Sequence, residues 1–212
     1  MQFFILKMQL DVAFAKPIGP YNNPINHIVR PYCHVEVSFH TTAETFRKQL
    51  AEVEADSTRS QSLELATKRI SKIKGKIAVC FFINWGGVVS LRYLSDMIDD
   101  PYLRPPEAPV YDVVPIEMTL DQSEKLVKFY LNSLGKEYDY ARAILSLCPI
   151  TLRTVNENKF YCAQLVLRSL ESMGMKFECD VNHVTPQDVH KLLTINTGEI
   201  VDTDGSSKSS SE

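Results

Sequence analysis

The sequence predicts an α+β protein. Three observations carry this. Residues 33–39 alternate strictly between apolar and polar, the period of a strand covered on one side. Residues 119–135 and 160–174 carry apolar stripes at helical spacing, each closed by a glycine. The strand signals lie mostly in the first part of the chain and the helix signals mostly in the second, which separates α+β from alternating α/β.

Taken in order, residues 3–5 and 12–14 read as short strands, and a Pro/Asn-rich loop follows over 17–31. In the strand over 33–39, Val35, Val37 and Phe39 share one face and His34, Glu36 and Ser38 the other. Residues 41–76 read as a helical insertion between strands. Phe46, Leu50 and Val53 mark its first helix. Asp56-Ser57-Thr58 breaks it, and Leu63, Ala66, Ile70 and Ile73 mark the second, with Gly75 as its C-terminal cap. The charged faces of this pair suit a solvated surface, with a lid or a docking surface as the alternative.

Residues 77–84 form an apolar strand, Trp85-Gly86-Gly87 turns the chain, and 88–94 return. Four prolines make 99–109 a loop, and 110–116 read as a further strand. Thr119 starts a helix with Gln122 in capping-box position, and Val127, Tyr130, Leu131 and Leu134 form its buried stripe. In the helix over 160–173, Leu165, Val166, Ser169, Leu170 and Met173 face inward. Residues 186–193 form a short helix with Pro186 in its first turn. One domain over 1–201 and a disordered tail over 202–212 account for the chain.

An apolar fraction of 44% is ample for a core. The net charge of −3 makes a nucleic-acid partner unexpected. Five cysteines, an odd number with no Cys-x-x-Cys pair, point to neither a zinc site nor a disulfide framework; reduced thiols in a cytoplasmic compartment fit better. Lys7 and Asp11 interrupt the apolar N-terminus, so no run reaches the ~20 residues of a membrane span, and no signal peptide is expected. No metal or cofactor is expected.

The chemistry centres on Cys162. The helical stripe starts at or just after it, so the thiol sits at a helix N-terminus, where backbone N–H groups and the helix dipole favour the thiolate. The same N–H groups can hold an oxyanion. A lone buried cysteine is more often a small hydrophobe, so the assignment needs a base. Of the five histidines, His34 is the one on a predicted strand, held more rigidly than a loop histidine. Cys33 points to the opposite strand face, and Cys80 reads as core.

Four segments add a resemblance. Tyr32-Cys33-His34-Val35-Glu36-Val37, Gly135-Lys136-Glu137-Tyr138-Asp139-Tyr140, Phe160-Tyr161-Cys162-Ala163-Gln164-Leu165-Val166 and Thr185-Pro186-Gln187-Asp188-Val189 occur in that order. They resemble the motifs of the permuted NlpC-like papain-fold cysteine hydrolases, the YiiX/YaeF-like group, and cover most of 31–193 apart from the insertion. The resemblance implies a circularly permuted papain-like fold, a small antiparallel sheet packed against helices, with the histidine strand preceding the cysteine helix. It implies a thiol hydrolase or acyltransferase in which Cys162 attacks an amide or ester carbonyl and His34 is the general base. It also implies that Tyr138 and Tyr161 line the substrate. The orienting third residue is Asn84, at the end of the strand expected beside the histidine strand, or Glu36 on the face of His34 itself.

The substrate classes implied are peptides, isopeptides and acyl lipids. Members of the group resemble proteins of large DNA viruses, which adds the virion to the cytoplasm as an expected location. The alternative is a catalytically weak or inactive member that serves as a binding or structural component of a larger assembly, with residues 41–76 as a protein-docking surface. A third reading is a membrane-surface acyltransferase anchored by residues 1–14.

Overall fold

The structure, a computed structural model, describes residues 8–16, 31–56, 61–83, 87–93, 111–147 and 158–196. The expected strand at 3–5, the loops at 17–30 and 99–109, Asn84, Cys148 and the tail lie outside the described residues.

Five strands form one antiparallel sheet: β1 (Met8–Ala15), β2 (His34–Thr42), β3 (Lys76–Ile83), β4 (Val89–Tyr93) and β5 (Tyr111–Met118). Their spatial order is β4-β3-β2-β1-β5. The alternation read from residues 33–39 sets the register. Val35, Val37 and Phe39 pair with Phe14, Val12 and Leu10 of β1, and all six are buried. Mixed α+β architecture with a small antiparallel sheet and several helices is thus the observed class.

The helices are α1 (Ala43–Asp56), α2 (Gln61–Ile70), α3 (Leu120–Ser133), α4 (Tyr140–Leu145), α5 (Cys162–Ser172) and α6 (Pro186–Asn196). The expected start of the insertion at residue 41 is corrected. Thr41 and Thr42 extend β2, as β-branched residues favour, and the Thr42 hydroxyl accepts the Thr45 N–H at 3.1 Å, so α1 begins only at Ala43. The end is corrected too, because Lys76 already pairs with Thr42 in the sheet. Gly75, at φ +82°, does not cap α2, which ends at Ile70. It shapes the turn into β3, and its carbonyl accepts the Ala43 N–H at 2.8 Å.

The capping box at Thr119 and Gln122 is present, with both reciprocal bonds, and the stripe of Val127, Tyr130, Leu131 and Leu134 is buried. Tyr130 stacks on Phe81 at 4.4 Å, and Phe81 on Phe39 at 5.8 Å, a column of rings tying α3 to the sheet. α5 packs between β2 and α3. The Thr185-Pro186-Gln187-Asp188 segment is a second capping box: Asp188 accepts the Thr185 N–H at 2.9 Å, and the Thr185 hydroxyl accepts the Asp188 N–H at 3.2 Å. Two unexpected strands, β6 (Glu137–Tyr138) and β7 (Lys159–Phe160), pair in parallel. Glu137 and Lys159 close this pair with a 2.7 Å ion pair, and Asp139 donates its N–H to the Phe160 carbonyl at 2.8 Å.

Candidate active site

Cys162 is the first residue of α5 and His34 the first of β2. α5 packs on β2, and the Cys162 thiol and His34 imidazole at their starting residues lie within interaction range of each other. Tyr161, the N-cap, is extended (φ −112°, ψ 166°), and its side chain makes no capping bond. The N–H groups of the first helical turn are therefore left for an anion. The first bond of the helix body runs from the Leu165 N–H to the Tyr161 carbonyl at 2.9 Å.

Electrostatics follow from this placement. Cys162 is 6% exposed, and burial favours its neutral thiol. The His34 imidazolium outweighs burial, helped by the backbone N–H groups of Val35 and Ala163, and holds the thiol below its ordinary 9.0. Burial alone would lower the His34 pKa. The Cys162 thiolate first, and the nearby Glu36 carboxylate second, overcome it and lift the imidazole from 6.5 to about 10. The site therefore favours a thiolate–imidazolium pair.

Glu36 Oε2 lies 3.7 Å from His34 Nε2, an ion-pair distance but longer than a hydrogen bond. Nε2 is sealed from solvent and has no strict hydrogen-bond partner among the described residues. Of the two expected orienting residues, Glu36 is therefore beside the ring, and Asn84 is outside the described residues. The sheet register explains the room available. His34 stands level with Ala15 and then Tyr111, and Glu36 level with Ala13 and then Val113, so two alanines separate the polar groups from β5. Cys80 of β3 and Tyr111 of β5 also feel Glu36. Burial first, and the nearby carboxylate second, push both of their pKa values up. The sequence reads Cys80 only as core and does not single out Tyr111, because each belongs to a strand remote from residue 36 along the chain.

The parallel β6–β7 pair sets Tyr138 level with Phe160, two residues before the thiol. Tyr138 is buried, and burial followed by the Cys162 charge raises its pKa, so its phenol stays neutral. No protein-family description, curated protein or solved structure matches this chain.

Tyr161 is also buried, and its hydroxyl oxygen accepts the Val184 N–H at 3.0 Å. Two residues past the thiol, Gln164 donates to Asn182 Oδ1 at 3.0 Å. Residues on both sides of Cys162 thus hold the segment before α6 against the start of α5. Tyr161 does this by packing and hydrogen bonding rather than by lining an open surface. The Cys33 thiol donates to the Ala15 carbonyl at 3.4 Å, and burial raises its pKa, the reverse of Cys162. Among the described residues, no group of three or more His, Cys, Asp or Glu is arranged to hold a metal ion, and no helix is long and apolar enough to cross a membrane.

Proposed function

We propose that the chain is a cysteine hydrolase of the permuted papain-like kind, a thiol peptidase, amidase or acyl-ester hydrolase. One observation carries the reading: a cysteine starting a helix and a histidine starting a strand interact, with a carboxylate 3.7 Å from the imidazole Nε2. In the proposed reaction the Cys162 thiolate attacks the carbonyl carbon, and the carbonyl electron pair moves to oxygen. The N–H groups at the tip of α5 hold that oxyanion. As the C–N or C–O bond breaks, His34 gives its proton to the leaving amine or alcohol, leaving a thioester on Cys162. Water then loses a proton to His34 and attacks the thioester, the acid leaves, and the thiolate returns. Glu36 is a positioning residue that stabilises the imidazolium. Tyr138 is the aromatic beside the thiol and the best placed to touch substrate. Peptides, isopeptides and acyl lipids all fit this chemistry, in the cytoplasm or a virion.

The 6% exposure of Cys162 favours a second reading, a catalytically weak member retained as a binding component of a larger assembly. Iodoacetamide labelling with peptide mapping separates the two. An activated Cys162 alkylates ahead of Cys33 and Cys80, and His34→Ala slows it by about 100-fold. Equal labelling of the wild type and Cys162→Ala overturns the hydrolase reading.

A further inference from the structure

The thiol site leaves one strongly charged surface unexplained. Lys68, Arg69, Lys72, Lys74 and Lys76 fall within nine residues, in a chain whose net charge is −3. All five are exposed, and no Asp or Glu occurs from residue 65 to residue 95. They run from the last turn of α2 through the following turn to the first residue of β3.

The fold adds to them. Arg47 of α1 donates to the Ile73 carbonyl at 3.3 Å, which brings a sixth cation against the same turn. The acidic residues on the adjoining helices are Glu44, whose carboxylate is 3.8 Å from Lys48, with Glu52, Glu54 and Asp56 further along α1, toward the end away from its Ala43 start, and Glu64 in the first turn of α2. Leu65 lies on the face of α2 shared by Lys68 and Arg69, at spacings of three and four, and is 53% exposed.

We infer that this surface docks on an anionic phospholipid membrane. Clustered Lys and Arg match the charge of such a surface, and an exposed leucine among them gains from entering the headgroup boundary. A nucleic acid matches the charge but not the leucine, and the patch presents no exposed aromatic ring for bases to stack on. The patch is separate from the thiol. Lys76 pairs with Thr42, eight positions along β2 from His34, a separation of about 26 Å at the rise of a strand. Docking therefore fixes where the protein sits and does not depend on the hydrolase reading.

The test is flotation of the full chain with phosphatidylcholine vesicles, with and without phosphatidylserine. Binding is expected only with phosphatidylserine and weakens as salt rises. Lys68→Glu/Lys72→Glu/Lys74→Glu lowers partitioning on the order of 100-fold with circular dichroism unchanged. Leu65→Ala weakens binding without changing its salt dependence. Lys191→Glu on α6 and Cys162→Ala bind as the wild type does, which keeps this result independent of catalysis. No flotation with phosphatidylserine, or equal flotation of the triple variant, overturns the inference. So does binding to single-stranded RNA, lost in the triple variant, when the vesicles do not bind.

Discussion

His34 Nε2 lies 3.7 Å from Glu36 Oε2, although the two residues belong to one strand and point the same way. Side chains two apart on a strand start ~6–7 Å from each other, so the pair forms only because the two side chains lean together. Ala13 and Ala15 beside them leave the space for it.

Glu36→Gln removes the charge and keeps the shape. The His34 pKa is expected to fall from about 10 toward 6.5, and Cys162 becomes less of a thiolate at neutral pH. Titrating the imidazole by NMR, alongside the pH profile of Cys162 alkylation, measures both. An unchanged imidazole titration would remove Glu36 from the site.

Stability should follow pH with a plateau. His34 has a raised folded pKa, so its contribution is complete below 6.5 and is lost as pH rises through about 10. Cys162 has a lowered one, so its contribution is complete above 9.0 and is lost as pH falls through its folded value. Between 6.5 and 9.0 the two slopes oppose each other. The melting-temperature difference between the wild type and His34→Ala/Cys162→Ala should be flat there and shrink on both sides. A difference that grows through pH 10 would contradict the ion pair.

Tyr161→Phe takes away the acceptor of the Val184 N–H. A buried donor left without a partner costs about 1–3 kcal/mol, read as a lower denaturant midpoint with an unchanged slope. If Tyr161 instead contacts substrate and nothing else, the midpoint stays where it is and only turnover changes.

Ala15→Leu tests the small-residue gap. Ala15 is 5% exposed and stands between His34 and Tyr111 in the register. Overpacking costs about 1–3 kcal/mol and pushes the imidazole out of line. Cys162 alkylation should slow more than in Val113→Leu, an exposed substitution on β5 that leaves the row of His34 open. Equal rates in the two variants would show that the gap is not needed.

Much of this molecule was legible before folding because its signals are local. Alternation at 33–39 named the buried face of β2, and Thr119 with Gln122 named the start of α3. Cys162 was placed at a helix start because the apolar stripe begins there. Two of the segments that carried the family resemblance also have plain local roles. Asp139 accepts the Arg142 N–H at 3.1 Å and caps α4, and Thr185 with Asp188 caps α6. The boundaries of the insertion are not legible in the sequence because Thr41 and Thr42 suit either element, and pairing with β3 decides for the strand. Gly75 reads as a helix cap because a glycine after an apolar stripe has the same appearance whether it ends a helix or opens a turn.

What residue order determined by itself was the set of elements and the chemical character of each face, since capping, periodicity and charge act over a few residues. Tertiary structure alone decided which faces meet. It set Tyr138 level with Phe160, two residues before the thiol, through a two-residue parallel pair too short to leave a pattern. It brought Cys80 of β3 and Tyr111 of β5 around the Glu36 carboxylate of β2, because a sheet juxtaposes residues by register and not by their distance along the chain.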